Sequence, residues 1–277
     1  MTRKRVRPST ISPDPGANAF TPPTPPSRFK LGRLAPKPHP KTLLFSNYVS
    51  NDSSLPRPAA KVYREYKTPP EAMQMFGNDT IGDCTCAGIA NLIILMTVHT
   101  GSIVIPQLSD VIGAYSAITG YDPATGANDN GAAMTDVLEY MRTAGMSGHK
   151  ILAWAKVDHT NQLYRELAVD LFGATYVGVN LPMSAQDQFG ANQPWEVVPN
   201  DPIEGGHAII HPGYGRLGGD YVSWARWDQK ASFAWESTYI EEEYVVITED
   251  WINHITQLTP GGVDLATLQA DIKLLSA

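Results

Sequence analysis

The sequence predicts an α+β protein. A helical front half is followed by a mainly β back half, with a basic, proline-rich arm ahead of both. Three observations carry this. Between Cys84 and Gly145, three apolar-periodic segments each end at a glycine. From Lys150 onward, short runs rich in β-branched and aromatic residues recur between turn residues. Charge and proline are unevenly spread: residues 1–60 hold ten Lys/Arg against two acids and twelve of the 22 prolines, so the rest of a chain of net charge −7 carries −15.

The arm contains Pro22-Pro23-Thr24-Pro25-Pro26 and Pro36-Lys37-Pro38-His39-Pro40. Proline at this density forbids helix and sheet ladders and favours an extended arm. Its positive charge suits docking on its own acidic body or on an acidic partner, with Phe29, Leu31, Leu34, Leu43, Leu44 and Phe45 as anchors. Arg3 to Arg7 are weak evidence for nucleic acid. Prolines follow them in place of an apolar core, so no secretory signal is expected.

The first helix starts at Cys84, runs through Ile89–Val98 and closes at Gly101. A second opens at Ser109 or Asp110 and ends at Gly120, and a third opens at Thr135 or Asp136 and ends at Gly145. The turn-rich stretch Tyr121–Gly131 joins them; its Asp122, Asp129 and Asn130 lack the spacing of a calcium loop. Ile151–Val157 alternates like a strand, Asn161–Phe172 is helical, and Ala174–Leu181 is strand-like. Strands follow at Gly206–Tyr214, Tyr221–Trp227, Ser232–Trp235 and Tyr244–Thr248, and Val263–Leu275 is a short amphipathic helix or a tail.

Two cysteines at i and i+2 on one helix offer no disulfide framework, which favours a reducing compartment. Only His99 lies nearby as a further zinc ligand, so neither metal nor cofactor is expected. No apolar run approaches a membrane span. A cytoplasmic or virion-associated location is the expectation.

Chemistry concentrates in two stretches. Gly77-Asn78-Asp79-Thr80-Ile81-Gly82-Asp83-Cys84 runs into a buried helix, and Cys84 falls in its first turn. Unpaired N–H groups and the helix dipole there favour a thiolate. The plain alternative is that Cys84 and Cys86 are small core residues. Downstream, Gly205-Gly206-His207-Ala208 places a histidine at the start of an apolar strand. A histidine there can take a proton from a thiol, or be a hydrogen-bonded core residue.

Together these stretches resemble the papain-like cysteine peptidases. Those enzymes have an oxyanion-hole amide six residues before a Gly-x-Cys turn, and a helix beginning at the cysteine. This chain offers Asn78, in place of their usual Gln, then Gly82 and Cys84. Their histidine opens a strand as His-Ala, four residues, Gly-Tyr-Gly; this chain has His207-Ala208 and Gly213-Tyr214-Gly215. More closely, the chain is similar to papain-like proteins of bacteria and their phages, which share these motifs and a lead-in like Leu31-Gly32-Arg33-Leu34.

The resemblance implies a papain-like α+β fold, a helical lobe followed by an antiparallel β lobe, with the extended proline-rich arm in front. The arm is assigned residues 1–60, the papain-like domain 61–255 (helical lobe 61–148, β lobe 149–255) and a C-terminal helix or tail 256–277. It implies a hydrolase, a peptidase or amidase, with Cys84 as nucleophile, His207 as base and Asn78 as oxyanion donor, acting on a peptide or protein. It departs from the family after the histidine strand. Arg226 falls where the family's histidine-orienting Asn stands, and a guanidinium cannot accept a hydrogen bond. Asp228 completes a triad, or a Cys–His dyad acts alone, or the chemistry has been lost or changed. Trp224 or Trp227 supplies an aromatic shield. The competing reading is a degenerate papain-like fold serving as a structural or binding component, such as a phage virion part, tied to its assembly through the arm. An inhibitory propeptide is the least favoured role for the arm, because the family's propeptides are largely helical.

Overall fold

A computed structural model describes residues 28–49, 62–63, 72–99, 103–248 and 265–276. Arg3–Arg7 and most of the prolines lie outside them.

The first long element is α1 (Cys84–His99), apolar on all sides and so packed against neighbours all round. Helices α2 (Leu108–Thr119) and α3 (Met134–Thr143) follow. After them come β3 (Ala153–Lys156), α4 (Gln162–Phe172), β4 (Thr175–Pro182), α5 (Met183–Gly190) and β5 (Ile203–Tyr214). The chain continues through β6 (Gly218–Ser223), β7 (Arg226–Ser232), α6 (Phe233–Tyr239), β8 (Ile240–Ile247) and α7 (Leu265–Ser276). Two short strands precede α1: β1 (Leu43–Leu44) and β2 (Val62–Tyr63).

The strands form one sheet in the order β1-β3-β8-β4-β5-β6-β7, with β2 also paired to β5. Only the β1–β3 pair is parallel. This is a mixed α+β fold with the helical part first and an antiparallel β part after it.

Strand alternation divides the core. On β3 and β8, Trp154, Tyr176 of β4, Tyr244 and Val246 face α1–α3. Ala153, Ala155, Val245 and Ile247 face α4 and α7 on the opposite side. A third cluster, with Trp195, Trp224 and Trp235, sits around β4, β5, α5 and α6. The C-terminal stretch is a helix, held by Leu268, Ile272 and a 2.6 Å hydrogen bond from Tyr48 Oη to Asp271.

The expected strand Tyr221–Trp227 is two strands. Trp224 (φ 45°) and Ala225 (φ 61°) are both left-handed and turn β6 back into β7, with Ser223 opposite Arg226. Such hairpin turns normally carry Asn or Gly, so the sequence gives no signal. Ala225→Gly therefore removes a left-handed alanine and is expected to stabilise the chain by about 1 kcal/mol. Urea denaturation checks this, and a lowered midpoint would contradict it.

The expected strand Ser232–Trp235 is helix α6. The Ser232 side chain caps it by accepting from the Trp235 N–H, and Trp235, Glu236 and Tyr239 bury one helical face. Helix α5, directly after Pro182, was not anticipated.

The second half of the arm docks on the body. Lys37 pairs with Asp136 (2.7 Å) and Lys41 with Glu139 (3.1 Å), both on α3. Arg28 reaches Glu204 (2.9 Å) and Asp187 (3.2 Å) on the β side. This segment thus lies on its own acidic body.

Candidate active site

Before α1 the chain turns tightly through Phe76 (φ 54°) and Gly77 (φ 89°), and Ile81 N–H closes back on Gly77 O (2.8 Å). The turn places Asn78 in the interior, with its side-chain oxygen unpartnered among the described residues. Gly82 N–H donates to Asp129 Oδ1 (2.9 Å), which also accepts from Tyr115 Oη (2.8 Å). The Asp129 loop thus fixes the approach to the helix, a role that calcium-type spacing would not have shown.

Cys84 opens α1 and is fully buried, packed with Ala208, and the backbone N–H groups of Ala208 and Gly32 favour its anion. Ala208 follows His207 on β5, so the helix start and the histidine strand meet at the thiol. His207 is also fully buried. Its Nε2 lies 3.0 Å from Ser223 Oγ, at the end of β6, and its Nδ1 has no hydrogen-bond partner among the described residues. The ring stacks on Trp224, centroids 4.3 Å apart and planes at 18°. The tautomer that donates Nε2–H to Ser223 leaves a lone pair on Nδ1.

Asp228 does not orient His207. It is exposed on β7, past the Trp224–Ala225 turn, and Ser223 holds the far nitrogen instead. Arg226 is also directed away: it donates to Phe189 O (2.6 Å) and lies 3.6 Å over the Phe189 ring. Both misplacements follow from reading one strand across a turn. Ser223 was missed for the same reason.

The expected thiolate is absent from this state. Burial pushes the Cys84 thiol up to about 12, outweighing the helix start. Burial, and then the positive charge of Arg33, lower His207 to about 3. Neighbouring Asp83, buried with neither carboxyl oxygen hydrogen-bonded to another described group, is raised to about 8, by burial first and then by Asp129 and Asp79. It was read only as part of the Gly-Asp-Cys motif. At neutral pH the pair is a neutral thiol and a neutral imidazole in a dry site.

What dries it is the chain's own residues 28–34. Arg33 N–H donates to Gly206 O (3.0 Å), Ala132 N–H to Gly32 O (2.9 Å), and Lys30 N–H to Asp79 O (3.2 Å). A Cβ on Gly32 would lie 1.8 Å from Gly82 O, one on Gly131 2.1 Å from Gly32 O, and one on Gly206 2.1 Å from Arg33 O. Glycine in the segment, at Gly32, and on two walls, at Gly131 and Gly206, therefore lets the backbone pass in close contact with its surroundings. Open cavities lie elsewhere: about 350 Å³ beside α1, lined by Ile89, Met96 and Met141, and about 570 Å³ beside Tyr214 and Asp220.

Among the described residues no group of three His, Cys, Asp or Glu side chains is gathered to hold a metal ion, and no helix is long and apolar enough to cross a membrane.

No family model matches the chain, and no curated protein matches it. Solved structures do. Xylellain, a cysteine protease from Xylella fastidiosa, superposes with a TM-score of 0.61 at 17% identity, covering 80% of this chain and 97% of its own. Digestive procathepsin L 3 of the Tenebrio molitor larval midgut gives 0.52 at 12% identity, covering 76% and 75%. The ragweed pollen cysteine protease Amb a 11 in its proform gives 0.50 at 14%, covering 72% and 69%. At these identities the likeness is one of fold, and the fold of this chain is papain-like.

Proposed function

We propose that this papain-like chain is a cysteine hydrolase, a peptidase or amidase, held latent by its own residues 28–34. The observation that carries the reading is the chain's own backbone at Gly32, pressed against Gly82 just ahead of the Cys84 helix start and hydrogen-bonded to Ala132, next to the strand of a histidine whose Nδ1 has no partner among the described residues. A groove that holds one chain there can hold a substrate's.

Once the segment leaves, water and the helix start favour the ion pair. His207 Nδ1 takes the Cys84 proton, and the thiolate attacks the carbonyl carbon of a peptide or amide. The Cys84 N–H and the Asn78 side-chain amide face the developing oxyanion. The C–N bond breaks as His207 returns the proton to the leaving amine. A water then adds to the thioester, its proton passing to His207, and the acid departs with the thiol restored.

An extended inhibitory segment supports the role given least weight from the sequence. Blocking needs a backbone that fits the groove, and helicity is not required. The alternative, a binding or structural module, draws on the neutral, fully buried pair. The two readings part over a fluorogenic peptide amide offered to a chain whose groove is opened: turnover lost in Cys84→Ala supports the hydrolase, and none in either supports the module.

Ser223 acts as a positioning residue in this reading. Ser223→Ala is expected to lower kcat about 10-fold with little change in KM, the worth of one orienting hydrogen bond. Asp228→Ala should stay within about twofold of the parent. The reverse ranking would return the orienting role to Asp228.

A further inference from the structure

Arg33 is the most completely enclosed part of the segment that covers Cys84. Its side chain is 1% exposed and ends on Glu242, which is 0% exposed. Nη1 donates to Glu242 Oε1 (2.9 Å) and Leu34 O (3.2 Å). Nη2 donates to Glu241 Oε2 (2.5 Å), Asn180 Oδ1 (3.0 Å) and Val179 O (3.2 Å), and Nε to Val179 O (3.3 Å). Except for Leu34 O, these acceptors belong to β4 and β8, the rigid sheet, and not to the arm.

The pocket exists because Gly178 has no side chain. A Cβ there would meet Met134 Sδ at 2.6 Å, Glu242 Cγ at 2.7 Å and Arg33 Cδ at 2.8 Å. Gly178 pairs with Ala208, the residue after His207, on one side and with Glu242 on the other, and the Arg33 charge is felt at His207, so the pocket lies next to the His207 strand. With Arg33 withdrawn, Glu242 keeps one hydrogen-bond partner among the described residues, Tyr244 Oη at 2.7 Å, and is a buried carboxylate without a cation. Such a group strongly favours a replacement cation. A planar fork of donors matches these acceptors, and a lysine ammonium does not.

We propose that this pocket is a specificity site for an arginine side chain of the substrate, which takes the place of Arg33 when the segment leaves. The substrates are then peptides carrying arginine within two residues of the scissile bond. This rests on Cys84 being the nucleophile, as proposed above.

The test has two arms, both on the full-length chain. In the first, Gly32→Val/Arg33→Ala is offered peptide coumarylamides with arginine, citrulline, lysine or leucine at each of the two residues preceding the scissile bond. Arginine is expected to exceed its neutral isostere citrulline by at least about 100-fold in kcat/KM at one position. Adding Glu242→Gln should collapse that ratio to a few-fold. In the second, acetylarginine amide should raise the Tm of Arg33→Ala, acetylcitrulline amide should not, and neither should act on Arg33→Ala/Glu242→Gln. That double variant removes both partners of the buried pair, so it leaves no unpaired charge to unfold the chain.

Turnover with no preference for arginine overturns the pocket while leaving the hydrolase standing. An arginine-specific Tm shift with no turnover of any peptide supports the pocket and overturns the hydrolase. Neither turnover nor shift overturns both.

Discussion

Replacing Gly32 with valine is expected to raise the rate at which iodoacetamide alkylates Cys84 at neutral pH by at least about 10³-fold. The argument is steric first. A Cβ at Gly32 would stand 1.8 Å from Gly82 O, 2.3 Å from its carbonyl carbon and 2.6 Å from its Cα. All three are backbone atoms, fixed by the Asp129 hydrogen bond to Gly82 and by the start of α1. The segment must move, because the wall cannot. The effect on reactivity is then electrostatic. The covered thiol sits at about 12 because it is dry. Readmitting water alone returns it toward the ordinary range near 8.5, which raises the thiolate fraction at pH 7 by about three orders of magnitude, and the helix start and His207 then raise it further. The Lys37 and Lys41 pairs with α3 lie beyond the covering residues and keep the arm tethered. Mass spectrometry reads the label, with Gly32→Val/Cys84→Ala as the blank for Cys86. An unchanged rate would mean that residues 28–34 do not mask the site.

The second large effect is on turnover. In the opened chain, Cys84→Ala is expected to reduce peptide-amide hydrolysis by at least about 10³–10⁴-fold, and His207→Ala by a comparable factor, because the two act as one unit. Combining them should cost little more than either alone. Cys86→Ala should keep activity. Its side chain is buried in the apolar cluster beneath α1, and burial raises its thiol well above the usual range. Equal losses for Cys84→Ala and Cys86→Ala would point to damaged packing of α1, and the nucleophile would have to be sought elsewhere.

Much of this arrangement is legible in the residues. Local chemistry marks the C-terminal end of α2 at Gly120 and both ends of α4 at Asn161 and Gly173, whereas α2 opens after Gln107 with no side-chain cap instead of at Ser109 or Asp110, and the expected stop of α1 at Gly101 lies outside the described residues. The two motifs around Cys84 and His207 carry the fold through their spacing, and Cys84 and Ala208 do meet across the helix–strand boundary. What the sequence hides depends on long-range contact. The Trp224–Ala225 turn has no turn residues, since stacking on His207 holds Trp224 in a left-handed conformation. Reading through it moves Arg226 and Asp228 into positions that Ser223 fills. The Ser232–Trp235 run looks like a strand because its residues are aromatic; only the Ser232 cap reveals α6. Glu241-Glu242-Glu243 looks too charged for a sheet interior. Glu242 and Glu243 are buried on opposite sides of the strand, Glu242 meeting Arg33 and Glu243 meeting Arg165. The covering segment was least visible of all. Prolines flank it on both sides, but its fit depends on Gly131 and Gly206, which lie far away in sequence.

The same neutral state explains why burial and reactivity pull apart here. A helix start contributes a few tenths to about 2 kcal/mol toward an anion, whereas complete desolvation of a thiolate costs several. Burial wins while the groove is filled, and the helix start and His207 win once it is wet.

The most direct test is the pH dependence of Cys84 alkylation in the Gly32→Val chain, set beside a free-thiol peptide. A thiolate–imidazolium pair predicts a rate at pH 6 at least about 10-fold above the peptide's, nearly flat up to neutral pH and lost in His207→Ala. A rate that instead follows the free thiol, rising only toward pH 8.5 and indifferent to His207, would contradict the account.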